Sequence, residues 1–217
     1  MKKPEMIYKR TGLFIDWDQL ESLPEIDTLI DIGIGTRGTP ELYEIFKDQR
    51  LILIDPLTEA ENYVKQNLKH RKVTFFKTAL GSEENVKKMN IEPRPGRSTF
   101  EDVTELNYEG KITETRNINI TKLDTIAKRE ENLGRIGIKI DSEGYELNII
   151  NGATNTLRET EFVIAEVRHN YKSYKKGYKL EEFMLAMHNN DFILTNIYTA
   201  KPLIADLCFQ PKSNLIK

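Results

Sequence analysis

At 217 residues, with 32 Lys and Arg against 34 Asp and Glu, the chain carries a formal charge of −2, which gives no global attraction to nucleic acid or to an acidic membrane surface. The length suits one α/β domain over residues 1–217 and suffices to bury a substantial core. A lone cysteine cannot form an intramolecular disulfide, and no apolar stretch approaches the roughly 20 residues that span a bilayer, so a cytoplasmic protein without membrane insertion is expected.

In chain order, residues 1–27 read as a lead-in whose basic residues are interrupted by Pro4 and Glu5 and lack an apolar signal core. The first strand signal is TLIDIG, residues 28–33, followed by a glycine loop and by Thr39-Pro40, an N-cap with proline in the first helical turn. LILIDP at 51–56 is the second strand, and Ala60, Tyr63, Val64 and Leu68 then share one helical face. VTFFKTA at 73–79 is the third. Residues 82–120 are polar, contain Pro93, Pro95 and Gly96 and show little periodicity. They read as an excursion over the sheet edge, with one strand near Ile118–Ile120, serving either as a lid or as a surface insertion.

RIGIKID at 135–141 and EFVIAEV at 161–167 resume the strands, and Leu180, Phe183, Met184 and Met187 form a helical face. FILTNIYT at 192–199 and ADLCFQ at 205–210 stand too close for a parallel crossover and predict an antiparallel hairpin, with Cys208 a buried strand thiol. Runs apolar on both faces, alternating with helices, predict a doubly wound α/β fold: a mostly parallel seven-stranded sheet, helices on both faces, and an antiparallel C-terminal hairpin.

Asp31, Gly33, Gly35 and Gly38 stand in LIDIGIGTRG at the end of the first strand. Glycines let the backbone turn tightly and a ligand approach closely. The spacing also satisfies the dinucleotide pattern, a weak signal alone. A carboxylate at Asp31 would face a pyrophosphate unfavourably but could accept hydrogen bonds from an ammonium, as at the methionine end of S-adenosylmethionine. The amides opening the next helix would receive that ligand's carboxylate. Asp55 ends the second strand 22 positions after Gly33, where an acid can bond both ribose hydroxyls.

IKIDSEGYELNIINGA at 138–153, together with LIDIGIGTRG, LILIDP and VIAEVRH, resembles the FkbM-type methyltransferase family, from about Thr28 to His169. The resemblance implies a Rossmann-like class I fold and S-adenosylmethionine-dependent O-methylation of sugars or polyketide-type products. It places Asp31, Gly33, Gly35, Asp55 and Pro56 at the cofactor and Asp141, Glu143 and Gly144 in a D-x-E-G motif; Gly38 and Ala79 are expected at the cofactor as well. Ser98 matches a serine of the middle segment. Thr36-Arg37 departs from the small polar residue many relatives carry.

Methyl transfer to an alcohol needs positioning and a proton acceptor or a metal. Asp141 and Glu143 follow the fourth run, and Glu166 and His169 follow the fifth, where ligands of open sheets bind. His169 or Asp141 is the expected general base. Glu143 either orients substrate or caps the helix beginning near Gly144, and Glu166 contacts substrate or is a paired strand-end acid. Asp141, Glu143 and Glu166 offer hard oxygens for a divalent metal, although no spacing is diagnostic. Tyr171, Tyr174 and Tyr178 in HNYKSYKKGYK suit stacking on a carbohydrate or other small acceptor, and also single-stranded RNA. RNA methylation is disfavoured by the neutral charge, an NAD-dependent oxidoreductase by Asp31 and the D-x-E-G segment, and a non-catalytic nucleotide module by the acids at both strand ends. Oligomeric state is not encoded in any recognisable pattern.

Overall fold

The computed structural model describes residues 20, 22–68, 72–102, 112–169 and 176–214. Seven strands form the main sheet: β1 (Thr28–Ile32), β2 (Arg50–Ile54), β3 (Val73–Phe76), β7 (Ile136–Ile140), β8 (Thr160–Arg168), β9 (Phe192–Ala200) and β10 (Ile204–Pro211). Their order is β3-β2-β1-β7-β8-β10-β9. The first five are parallel, whereas β10 runs antiparallel to both β8 and β9. The expected parallel sheet and terminal hairpin are both present.

Among the described residues, five α-helices of the chain flank it: α1 (Pro40–Ile45), α2 (Thr58–Asn67), α3 (Leu123–Arg129), α4 (Glu146–Asn151) and α5 (Leu180–Asn189). Alternate strand residues point to opposite faces. Leu29, Leu51 and Leu53 therefore pack with Leu42, Tyr43 and Phe46 of the α1 region and Ala60 of α2. Ile30, Ile32, Ile52 and Ile54 pack on the other face with Leu123, Ile126, Ile149, Ile150, Phe183 and Met187 from α3, α4 and α5. Helices thus lie on both faces, and Cys208 is buried and free.

The third apolar run splits. It breaks after Phe76, and Ala79–Leu80 (β4) joins a second sheet with β5 (Asn85–Ile91) and β6 (Glu114–Thr121), ordered β4-β6-β5. Residues 82–120 therefore hold two long antiparallel strands, not the single short one expected near Ile118–Ile120. Their buried apolar residues are only Met89 and Ile91 in NVKKMNI and Ile118 and Ile120 in ETRNINIT, while Val86 is exposed. The remaining positions are exposed or half-buried. These four side chains join Leu57, Ala79, Phe100 and Tyr145 in a small core of their own, which brings the second sheet against the carboxyl ends of β1, β2 and β7.

Candidate active site

The glycine loop after β1 is shaped from beneath by Asp31. Its buried Oδ2 accepts hydrogen bonds from the Thr39 amide at 3.1 Å and the Tyr43 hydroxyl at 2.5 Å. Burial pushes the Asp31 carboxyl up, and these bonds oppose the shift. Gly38 has φ +62, and a Cβ there would lie 2.1 Å from the Tyr43 oxygen, so its smallness serves this hydrogen bond. The Thr39 amide, expected to await a ligand carboxylate, is taken by Asp31. Thr39 caps α1 in position only, without a side-chain bond. Asp31 itself lines neither cavity of the site. Tyr43→Phe leaves this buried carboxylate short of a donor and is expected to lower stability by about 1–3 kcal/mol, measured by chemical denaturation.

Gly33 and Gly35, with φ of +80 and +52, line a first cavity together with Asp55, Pro56, Leu57, Thr78, Ala79, Leu80, Met89, Ser98, Phe100, Asp141, Glu143 and Tyr145. Asp55 stands immediately after β2. Its Oδ2 accepts from the Gly35 amide at 2.9 Å and its Oδ1 from the Leu57 amide at 2.8 Å. Burial pushes its carboxyl up to about 6, against these two bonds. A carboxylate has about four lone-pair sites, so two amide donors leave capacity for a diol. Phe100 and Tyr145 lie with ring centroids 4.9 Å apart at the apolar end. Buried Ser98 accepts from the Glu92 amide at 3.3 Å. The predicted cofactor residues Gly33, Gly35, Asp55, Pro56 and Ala79 and the predicted substrate residue Ser98 thus converge on one cavity.

A second cavity lies on the α1 face of the sheet, lined among others by Arg37, Gly38, Thr39, Glu41, Lys139, Asp141, Glu166, Lys201 and Asp206. Asp141 belongs to both walls. One carboxylate oxygen each of Asp141, Glu143 and Glu166 lies within 4.8 Å of the others, the three acids singled out in the sequence as hard ligands. Burial and mutual repulsion raise Asp141 well above the usual carboxylate range. Burial raises Glu143 against the pull of Arg168, and pushes Glu166 up to about 7 against the pull of Lys139.

Glu143 sits at φ +51, before Gly144 at φ +101, and a non-glycine residue in that region is strained. Its carboxylate is ion-paired with Arg168, and its carbonyl accepts from Thr99 Oγ1 at 2.6 Å. Glu143 therefore does not cap the following helix. The helix has Tyr145 at its N-cap and no side-chain cap bond. Buried Glu146, its first residue, instead braces the preceding turn, its Oε1 accepting from Ser142 N at 3.0 Å, Ser142 Oγ at 2.9 Å and Gly144 N at 3.0 Å, while its Oε2 accepts from Tyr178 at 2.8 Å.

His169 is the expected residue that the structure sets apart. It is exposed at the end of β8, and its Nε2 lies 2.7 Å from the Lys201 carbonyl in the hairpin connection. It lines neither cavity. Extended β8 carries Glu166 toward α1 and directs the chain past the site before His169 is reached. Tyr171 and Tyr174 lie outside the described residues, whereas Tyr178 holds Glu146. Sequence reasoning missed Lys139 and Asp206, both buried and 3.3 Å apart at the ion pair. The available signal was a charge inside each of the apolar runs IGIKI and ADLCF, where both faces are covered.

Strand order, glycine loop and the acids after β2 and β7 define an α/β domain built to bind a nucleoside at the carboxyl ends of its strands. Residues 39–194 match the methyltransferase FkbM domain model, so the chain belongs to the FkbM methyltransferase family. The structure of methyltransferase FkbM from Methylobacillus flagellatus KT superimposes with a TM-score of 0.51 at 14% identity, covering 85% of this chain and 43% of that one. This chain therefore spans less than half of that relative. A precorrin-6y C5,15-methyltransferase from Geobacter metallireducens GS-15 gives 0.49 at 10% identity over 90% and 85% of the two chains. Magnesium protoporphyrin IX methyltransferase from Synechocystis PCC 6803, solved with bound SAM, gives 0.47 at 9% over 90% and 74%. No curated protein matches the sequence. No helix among the described residues is long and apolar enough to cross a membrane.

Proposed function

We propose that this protein is an S-adenosylmethionine-dependent O-methyltransferase whose acceptor is a hydroxyl of a sugar, glycan or glycan precursor, acting in the cytoplasm as one domain with residues 82–120 as a lid-like cover. The observation that carries this reading is the placement of Asp141 on the wall between the glycine-loop cavity and the carboxylate-lined cavity. A methyl donor held in the first would meet an oxygen held in the second beside that residue.

The cavity suits the cofactor. The loop at Gly33 and Gly35 leaves a cradle without side chains, Asp55 stands where a ribose diol would sit, and Leu80, Met89, Phe100 and Tyr145 supply apolar surface for an adenine. When bound, S-adenosylmethionine supplies a methyl activated by its sulfonium, whose carbon–sulfur bond breaks as the carbon–oxygen bond forms. The chain's own work is to align the acceptor oxygen and to take its proton. Glu166, whose carboxyl is pushed up to about 7 by burial, is matched to accept a hydroxyl proton near neutral pH, and Asp141, raised by burial and by the charge of Glu166, lies beside it. Glu143, fixed by Arg168 and Thr99, presents a rigid acceptor to neighbouring hydroxyls.

Calorimetric titration with S-adenosylhomocysteine and with NAD tests the cofactor, and transfer of labelled methyl to a panel of methyl glycosides tests the acceptor. Binding of NAD alone would overturn the reading. Asp55→Ala is expected to weaken S-adenosylhomocysteine binding roughly 10–100-fold, the loss of one or two charge-assisted hydrogen bonds. Asp141→Ala should spare binding more than turnover. Equal loss of binding in both would contradict this division.

A further inference from the structure

Lys139 is the fourth of the five residues of β7, buried between Ile138 and Ile140. Its neighbours show what such a position ordinarily holds. A buried ammonium is costly to desolvate, and a hydrophobic residue of similar volume is often neutral or better for stability. The charge is nevertheless held with care. Lys139 Nζ donates to Asp206 Oδ1 at 3.3 Å and to the Ile140 carbonyl at 3.2 Å, and Asp206 Oδ2 is fixed by the Thr199 hydroxyl at 2.5 Å. Lys139, Asp206, Asp141 and Glu166 all line the second cavity. The register explains the gathering: Lys139 is paired with Asp31 across β1–β7, and Glu166 with Asp206 across β8–β10.

We propose that Lys139 is the resident cation of the Asp141–Glu143–Glu166 cluster, a positioning residue that fills with an ammonium the part a divalent ion would play at the acceptor end of the site. An ammonium has three donors. Two go to Asp206 and Ile140 among the described residues, and the third serves Asp141, Glu166 or an oxygen bound between them. A fixed positive charge on the same cavity wall as Asp141 and Glu166 opposes a second cation in that space. The assignment of an acceptor end rests on the proposed methyltransferase reading, but the cation test does not.

The full chain is titrated with MnCl2 alone, free manganese being followed by electron paramagnetic resonance. Wild type is expected to bind Mn2+ at least roughly tenfold more weakly than Lys139→Met, because that variant uncovers two or three carboxylate ligands. Lys139→Arg, which keeps the charge, should exclude the ion like wild type, and Asp141→Asn in the Lys139→Met background should abolish the acquired binding. Tight Mn2+ binding by wild type that is lost in Asp141→Asn would overturn the proposal, as would Lys139→Met binding no tighter than wild type. The wild-type and Arg measurements stand even if Lys139→Met does not fold. With an acceptor from the glycoside panel, wild-type methyl transfer should persist in EDTA, and its loss would also overturn the proposal. Failure of wild type to bind S-adenosylhomocysteine would instead count against the methyltransferase reading.

Discussion

Gly33→Ala is expected to abolish S-adenosylhomocysteine binding and to lower the melting temperature by about 10 °C or more. Two independent costs meet at this position. A Cβ built on Gly33 would stand 1.8 Å from the carbonyl oxygen of Asp141 and 2.7 Å from its carbonyl carbon, and both are backbone atoms at the end of a strand hydrogen-bonded across the sheet. The Gly33 amide also donates to the Ile54 carbonyl at 2.9 Å and the Asp141 amide to the Ile32 carbonyl at 2.9 Å, so neither segment can retreat without breaking a ladder bond. In addition, φ of +80 is unfavourable for an L residue. Left-handed backbone costs roughly 1–2 kcal/mol and overpacking roughly 1–3 kcal/mol. Gly96→Ala provides the contrast, since a Cβ there comes no closer than 3.8 Å to Gly35, and that variant should retain its melting temperature. A thermal melt and a calorimetric titration of both variants decide the matter. A Gly33→Ala protein that melts and binds like wild type would show that the loop is not held against the end of β7.

The main sheet was legible because its signal is hydrophobic burial itself. TLIDI, RLILI and IGIKI are covered on both faces, so nearly every residue must be apolar, and two helical faces closed the alternation. The second sheet was hidden for the same physical reason in reverse. β5 and β6 bury only alternate residues at one end, and lysines, asparagines and threonines fill the rest, which reads as a polar loop. The short helix α4 begins at Glu146, with Tyr145 at its N-cap and no side-chain cap bond, because the tight turn at Glu143 and Gly144 moves the helix start along by two residues.

In the site, residues whose placement follows from backbone position, Gly33, Gly35, Asp55, Asp141 and Glu143, line one cavity. The direction of a side chain beyond the strand was less legible. Asp31 was read as a ligand contact, yet the parity of β1 turns it beneath the loop toward Tyr43. His169 follows Glu166 by three residues, so the two do not share a strand face. Lys139 and Asp206 come from strands 67 positions apart, and no local pattern in one chain joins them.

Glu166→Gln should lose roughly 10²–10⁴-fold in methyl transfer, the range for removal of a general base, while gaining stability in alkaline solution. Both effects follow from one displaced equilibrium. Burial pushes the Glu166 carboxyl from its ordinary value near 4.5 up to about 7, despite the attraction of Lys139. A folded-state pKa above the unfolded one means that the protonated form is the one the fold prefers. This contribution is complete below the unfolded pKa and is lost as pH rises through about 7. Wild type should therefore melt at progressively lower temperature across that window, and Glu166→Gln, which keeps a neutral side chain of the same shape, should melt with a flatter dependence. Turnover runs the opposite way, since only the ionised carboxylate can take the acceptor's proton, so wild-type kcat/KM should climb with pH through the same region. Paired melting curves and rate profiles from pH 5 to 9 separate this account from a purely structural one. A variant as steep in stability as wild type would remove Glu166 from both roles. A stabilised variant of full activity would leave Asp141 to accept the proton, and the residue would then be a strand-end acid of the cavity wall.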